Sequence, residues 1–335
     1  LEPLLEVRDL VVEVPVGGTH APAVDGVSFD LSAGEAVAVV GESGCGKTLL
    51  GRALIGLAPE RARVTGSIRL GGRELAGASE AEWQRIRGEQ IALVFQEPAA
   101  AFDPVATIGS QIVEAVRAHR KLDRKSAREI ARARLREVGF PDPDRGMDEY
   151  PHRLSGGMRQ RAFLAMALAA DPAILVADEP TTALDATVAA QVLELLDSLR
   201  RERGLALLLI SHDLGVVAQH AGRVIVMYAG RVAEEAGALE LFRAPRHPYT
   251  RGLLASQPRL LEGRGSGFPG IAGSVPDLAS RPHGVCAFAP RCPERFAPCD
   301  VREPALYATD TGLARCFLYE SHGDRPDGPS QSREQ

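Results

Sequence analysis

The run Val37-Ala-Val-Val-Gly41-Glu-Ser-Gly44-Cys-Gly46-Lys47-Thr48 constrains the chain more than any other stretch, because an apolar, strand-like segment passes through three glycines into a helix-forming one. The string fits GxxxxGK[ST], and a strand before it with a helix after it is the context of a phosphate-binding P-loop. Glycines let the backbone curl until successive N–H groups face one anion. The following helix adds its positive N-terminal end. Gly41, Ser43, Gly44, Cys45, Gly46, Lys47, Thr48 and Leu49 are therefore the expected lining of a polyphosphate site. Lys47 supplies a mobile charge near the β- and γ-phosphates and Thr48 a hydroxyl for Mg²⁺. Cys45 reads as a small residue that fits the turn.

The 335 residues suffice for about two domains. A formal charge of -5 argues against a mainly electrostatic grip on nucleic acid, so no nucleic-acid partner is expected. No uncharged apolar run approaches the ~18 residues of a membrane-spanning helix. The opening Leu1-Glu-Pro lacks the basic segment and apolar core of a signal peptide. A cytoplasmic chain is expected, with any membrane role falling to partners.

Upstream of the P-loop, Leu5 to Val14, Ala23 to Leu31 and Ala36 to Val40 read as strands around turns at Gly17-Gly18 and Ala33-Gly34, a β-rich region. Between Val11 and Val24 there is no aromatic residue to stack on a nucleobase, which leaves His20 as the substitute. Downstream, Ile91-Ala-Leu-Val-Phe95 ends in Gln96, a polar group placed to touch Mg²⁺ or an attacking water. A helical region runs from Val105 to Gly139, and Lys121 to Arg136 is its solvated face. Leu154-Ser155-Gly156-Gly157 then opens a second helix, with Ser155 as N-cap and two glycines that admit an anion to the first N–H groups. The buried strand Ala173 to Ala177 ends in Asp178-Glu179, which divide the labour as Mg²⁺ ligand and water-polarising base. A third apolar strand, Leu205 to Ile210, ends in Ser211-His212. His212 is thus set to orient the water and donate to the γ-phosphate. Ala221 to Glu234 reads as a closing hairpin turning at Ala229-Gly230.

GESGCGKT, LSGGMRQR, ADEPTTALD and ISHDL, in that order, resemble the ATP-binding subunit of an ABC transporter over residues 4 to 255. The resemblance implies an α/β P-loop ATPase core with a β-rich N-terminal subdomain, an inserted helical subdomain at about 96–165, and ATP with Mg²⁺ as ligands. It implies that Ser155, Gly156 and Gly157 serve the nucleotide of a second, homologous ATPase subunit, that Asp185 ties the halves together, and that closure and opening drive two transmembrane permeases. The methionine of LSGGMRQR, the segment Ala244-Pro-Arg-His-Pro-Tyr-Thr250 and a cysteine-bearing tail bring the chain nearest to di- and oligopeptide importers, which work with an external binding protein. Nickel and glutathione importers share these features. Such a subunit sits peripherally on the cytoplasmic face of the membrane.

Cys286, Cys292, Cys299 and Cys316 follow the spacing C-x5-C-x6-C-x16-C in the extension expected over 256–320. A cytoplasmic setting disfavours disulfides. Four thiolates suit a 4Fe-4S cluster or zinc, although the tight C-x2-C pairs of structural zinc are absent. The resemblance implies the cluster, with zinc or free thiols as the alternatives. Residues 321–335 read as a disordered end.

Overall fold

The computed structural model describes residues 2–182, 184–256 and 271–320. The expected disordered end at 321–335 lies outside them.

Among the described residues two sheets carry the chain. The first joins β1 (Leu5–Val16), β2 (Thr19–Leu31), β4 (Arg63–Leu70) and β5 (Arg73–Glu74) in the order β2-β1-β4-β5. The β1–β2 hairpin is longer than its sequence pattern predicts, and it takes in Ala21 and Pro22. It turns at Gly17 and Gly18 with φ of 56° and 89°, the conformation a tight two-residue hairpin requires.

The second sheet has eight strands: β3 (Ala36–Val40), β6 (Ile91–Val94), β7 (Ile174–Asp178), β8 (Ala206–Ser211), β9 (Arg223–Tyr228), β10 (Arg231–Gly237), β11 (Tyr307–Ala308) and β12 (Gly312–Ala314). Their order is β11-β12-β10-β9-β3-β8-β7-β6. From β6 to β9 neighbouring strands run parallel. Every residue of β3, β7 and β8 is buried, which is why these segments read as continuous apolar runs instead of alternating ones. The expected hairpin at Ala229-Gly230 forms, both residues taking positive φ, and β10 then pairs with β12. The sheet therefore runs on into the C-terminal extension.

Helices Ile108–His119, Arg124–Glu137 and Gly156–Ala167 pack on one another through Ile112, Val116, Ala131, Leu135 and Phe163. Asp123 caps the second by accepting from Ser126 N at 2.8 Å, and Arg134 reaches Glu137 one turn on at 2.8 Å.

A buried polar knot fixes the start of helix Pro248–Ala255. Glu234 of β10, 1 % exposed, accepts the N–H groups of Arg246 at 2.7 Å and His247 at 2.8 Å. His247 Nδ1 accepts from Tyr249 N at 3.0 Å, a role that needs a neutral ring. Burial pushes the His247 pKa from 6.5 down to about 3. The unfolded chain therefore binds a proton there that the folded chain refuses, so this contribution to stability is complete above pH 6.5 and is lost as pH falls toward 3. A His247→Gln variant, which keeps an acceptor but does not titrate, should show a smaller fall in melting temperature between pH 6.5 and pH 4 than the parent. Equal slopes in thermal denaturation would contradict this account of His247.

Candidate nucleotide-binding and hydrolysis site

The parallel register sets the site. Val40 pairs with Ser211, Asp178 with Ile210 and Val94 with Ala177, so the carboxyl ends of β3, β8, β7 and β6 finish along one edge. The residues just past those ends, Gly41, His212, Glu179 and Gln96, project beyond it. Ligands of open parallel sheets bind at such an edge.

The P-loop leaves β3 through Gly41 and enters helix Lys47–Ala53 at Gly46. A Cβ on Gly41, at φ 153°, would stand 2.2 Å from the Met227 carbonyl oxygen; one on Gly46, at φ 107°, would stand 2.6 Å from that of Ala23. Only glycine fits these two positions. Lys47 is buried and folds across the loop, Nζ donating to Gly41 O at 2.7 Å and Glu42 O at 3.0 Å. Cys45 is fully buried, its Sγ 3.7 Å from Lys47 Nζ, and burial pushes its thiol pKa up. That placement matches a packing residue, not a reactive thiol.

Thr48 Oγ1 donates to Asp178 Oδ1 at 3.3 Å. Burial, aided by the neighbouring Glu179 charge, raises the Asp178 pKa. A cation between this hydroxyl and carboxylate would relieve that cost, so the pair fits Mg²⁺.

Glu179 is the most constrained side chain of the edge. Its φ of 50° is unusual for a residue with a side chain, and its N–H is tied to Ile210 O at 2.9 Å. Oε2 accepts from Gln96 Nε2 and Thr182 Oγ1, each at 2.9 Å, and Oε1 lies 3.0 Å from His212 Nδ1. Burial alone would raise the Glu179 pKa, but hydrogen bonds from His212 and Thr182 outweigh it and hold the carboxyl below its ordinary value. Gln96, Glu179 and His212 thus meet, although they lie on three separate strand ends. Thr182 is the member that sequence reasoning missed; a hydroxyl three residues after a carboxylate was the available sign.

A cleft of ≈ 370 Å³ runs over the P-loop, lined in part by Ala23, Ser43, Lys47, Thr48, Gln96 and Glu179. Gly44, Gly46, Leu49 and Arg52 complete its phosphate end. Arg52 is a second omission from the sequence reading. It sits one helical turn after Thr48, and that spacing was its signal. His20 lies apart from this lining, its Nε2 3.0 Å from Arg61 O.

Ser155, Gly156 and Gly157 do not border the cleft. Ser155 is exposed and caps its helix by accepting from Met158 N at 3.3 Å. Gly157 faces Val188, where a Cβ would stand 2.6 Å from Cγ1, and Asp185 caps the Val188 helix by accepting its N–H at 3.0 Å. The two motifs therefore adjoin, and Ser155, Gly156 and Gly157 lie outside the cleft that the chain's own P-loop lines.

In the extension, Cys286 N donates to Cys299 O at 3.0 Å. Burial raises the thiol pKa of Cys286, of Cys292 to about 11 and of Cys316 to about 12, and neighbouring cysteines add to each shift. The four cysteines are therefore neighbours. Even so, among the described residues no group of three or more His, Cys, Asp or Glu side chains is disposed to hold a metal ion. The expected 4Fe-4S or zinc site is therefore not supported beyond the proximity of the four cysteines.

The fold and this edge define a P-loop ATPase of the cassette type. Residues 24–182 match the ABC transporter family, and residues 233–299 match the oligopeptide/dipeptide transporter C-terminal region. The chain is 46% identical to the dipeptide transport ATP-binding protein DppD of Bacillus subtilis, over 97% of both chains. It is 49% identical to the oligopeptide transport ATP-binding protein OppD of Mycobacterium tuberculosis, over 92% of this chain and 51% of that one. Among solved structures, the dimeric post-hydrolysis cassette MJ0796 bound to ADP and Pi superposes with a TM-score of 0.63 at 25% identity, covering 70% of this chain and 98% of that one. The chain belongs to the family of ATP-binding subunits of oligopeptide/dipeptide ABC transporters. It is an ATPase, and its nucleotide is ATP used with Mg²⁺.

Removing the Lys47 ammonium deletes a charge-assisted contact to phosphate, worth about ten- to a hundredfold in affinity. Equilibrium binding of MgATP to Lys47→Ala should weaken by that amount, whereas affinity equal to the parent's would show that the cradle lies elsewhere.

Proposed function

We propose that this subunit powers the import of di- or oligopeptides, with Glu179 as the base of ATP hydrolysis. The observation that carries the chemistry is the Glu179 carboxylate, held by Gln96, Thr182 and His212 at the mouth of the cleft that Lys47 and Thr48 line. A carboxylate kept ionised by its neighbours can take a proton from water as that water attacks the γ-phosphate. His212 and Gln96 orient the water, and Lys47 with the P-loop N–H groups gathers charge on the phosphates. Thr48 and Asp178 would hold Mg²⁺, which supplies charge neutralisation when bound; Gln96 stands ready as a further ligand.

On this reading residues 1–255 are the catalytic unit and 256–320 its extension. Ser155, Gly156 and Gly157 serve the nucleotide of a second ATPase subunit, and Asp185 stands at the seam. The exposed position of Ser155, away from its own cleft, supports the assignment. An apolar groove between the β6 edge and the helical region, lined by Leu57, Leu93, Phe95, Ala115, Phe163 and Met166, offers a permease a seat. No helix among the described residues is long and apolar enough to cross a membrane, so two permeases would supply the path and the chain would sit peripherally on the cytoplasmic face. The peptide substrate, delivered by an external binding protein, rests on the match at 233–299 and on the relatives named above.

Three outcomes test this reading. Glu179→Gln should bind ATP with parental affinity and lose turnover by at least about a hundredfold; parental turnover would remove Glu179 as the base. Purification of the tagged chain from gently solubilised native membranes should yield permeases and a binding protein carrying peptides by mass spectrometry. Nickel or glutathione there would move the substrate to a sister system, and only soluble partners would end the transport reading. We further propose that Cys286, Cys292, Cys299 and Cys316 bind a 4Fe-4S cluster, supported by their proximity alone. Anaerobically purified protein should then contain iron and acid-labile sulfide, and the absence of both would remove the cluster.

A further inference from the structure

Three side chains from beyond residue 245 converge on the outer face of the P-loop. Tyr249 Oη accepts the Glu42 N–H at 2.9 Å. Arg281, only 8 % exposed, donates from Nη1 to Pro22 O at 2.9 Å and Ala23 O at 3.3 Å, and from Nη2 to Gly44 O at 3.2 Å. Arg291 makes two parallel bonds to the Glu42 carboxylate, at 2.7 and 3.0 Å, and its Nε donates to Ala272 O at 2.8 Å. Its guanidinium carbon lies 5.8 Å from the Tyr228 ring centre.

These contacts act on peptide planes. In a planar trans peptide the C=O and N–H point in opposite directions. Tyr249 holds the Glu42 N–H outward, which turns the Gly41 carbonyl inward, where Lys47 Nζ meets it at 2.7 Å. Arg281 holds the Gly44 carbonyl outward, which turns the Cys45 N–H inward. There it makes only a long contact, 3.3 Å, to Glu42 O, one that a phosphate oxygen can replace. Arg281 also fastens Pro22 and Ala23 to the same loop, and Ala23 lines the cleft. Its acceptors are all backbone carbonyls, and among the described residues no carboxylate pairs with it, so its buried charge is committed to this junction.

We propose that Arg281 and Arg291 are positioning residues of the nucleotide site, holding the P-loop from the C-terminal extension in its phosphate-receiving shape before ATP arrives. The inference rests on the reading of Gly41 to Thr48 as the cradle. Their contribution is preorganisation, so its loss falls on binding more than on turnover: once bound, the phosphates order the loop themselves.

The test measures binding of the fluorescent probe mant-ATP, with Mg²⁺, to the full chain, together with kcat at saturating ATP. Arg281→Met and Arg291→Met should each weaken binding about tenfold while kcat changes by less than about threefold. Arg291→Lys should recover less than half of the loss, because an ammonium does not span both carboxylate oxygens. A role confined to fastening the extension would lower the melting temperature and leave the Kd within about twofold of the parent, which would overturn the proposal. Should the methionine variants fail to fold, Glu42→Gln decides, with an expected weakening of about threefold against none. Lys47→Ala is the control. If it weakens binding and the arginine variants do not, the positioning role alone fails; if it too has no effect, the cradle reading fails and carries this inference with it.

Discussion

The parallel pairing of β6, β7, β8 and β3 is the constraint on which the rest depends. Parallel strands buried on both faces cannot shift register without exposing apolar side chains or unpairing backbone groups. Because Asp178 is locked opposite Ile210 and Val40 opposite Ser211, a carboxylate pair, a histidine and the start of the phosphate loop arrive at one edge with no freedom to drift. The chemistry is then a matter of what stands at each strand end and one or two residues past it. Glu179 uses the left-handed conformation at that point to bring its carboxylate to Gln96, Thr182 and His212, each within about hydrogen-bond reach. Backbone strain at such a position persists only where the surroundings hold it, and here the Ile210 carbonyl does so through the Glu179 N–H.

A second layer of constraint comes from the far end of the chain. Glu234, His247 and Tyr249 form a buried relay from β10 to the P-loop, with each polar group meeting a backbone partner. Buried polar groups of this kind cost on the order of 1–3 kcal/mol each if left unpaired, so the relay specifies one arrangement more than it adds stability. The relay thereby reaches the phosphate loop, and Arg281 and Arg291 meet the same loop from the extension. Strands β11 and β12 extend the same sheet, which joins that contact to the core.

Much of the site was legible in the sequence because its signals are local. Glycines at Gly41 and Gly46 mark backbone that no other residue can adopt, and an apolar run ending in Asp178-Glu179 marks a buried strand that meets an edge. Ser155 was readable as a helix cap for the same reason, since capping depends on neighbours three residues away, whereas the capping role of Asp185 emerges only from the structure. What escaped was non-local. The contacts of Tyr249, Arg281 and Arg291 with the P-loop span 207, 237 and 249 residues and leave no periodic mark. The cysteines are a different case. Spacing identified the group, and its members do lie near one another, but whether four thiols close on one ion is set by backbone turns that spacing does not encode. β11 and β12 are two and three residues long, too short for an alternating pattern.

In the proposed cycle the nucleotide is held by this chain's own P-loop and carboxylates and closed from outside by the Ser155 surface of a second subunit. The most direct measurement is a structure of the membrane-assembled complex with Mg²⁺ and a non-hydrolysable ATP analogue. The account predicts phosphates on the N–H groups of residues 44–48, the metal against Thr48 and Asp178, and Ser155 of this chain facing the nucleotide of its neighbour. A nucleotide whose phosphates lie away from Lys47, or one contacted by Ser155 of the same chain that holds its phosphates, would contradict it.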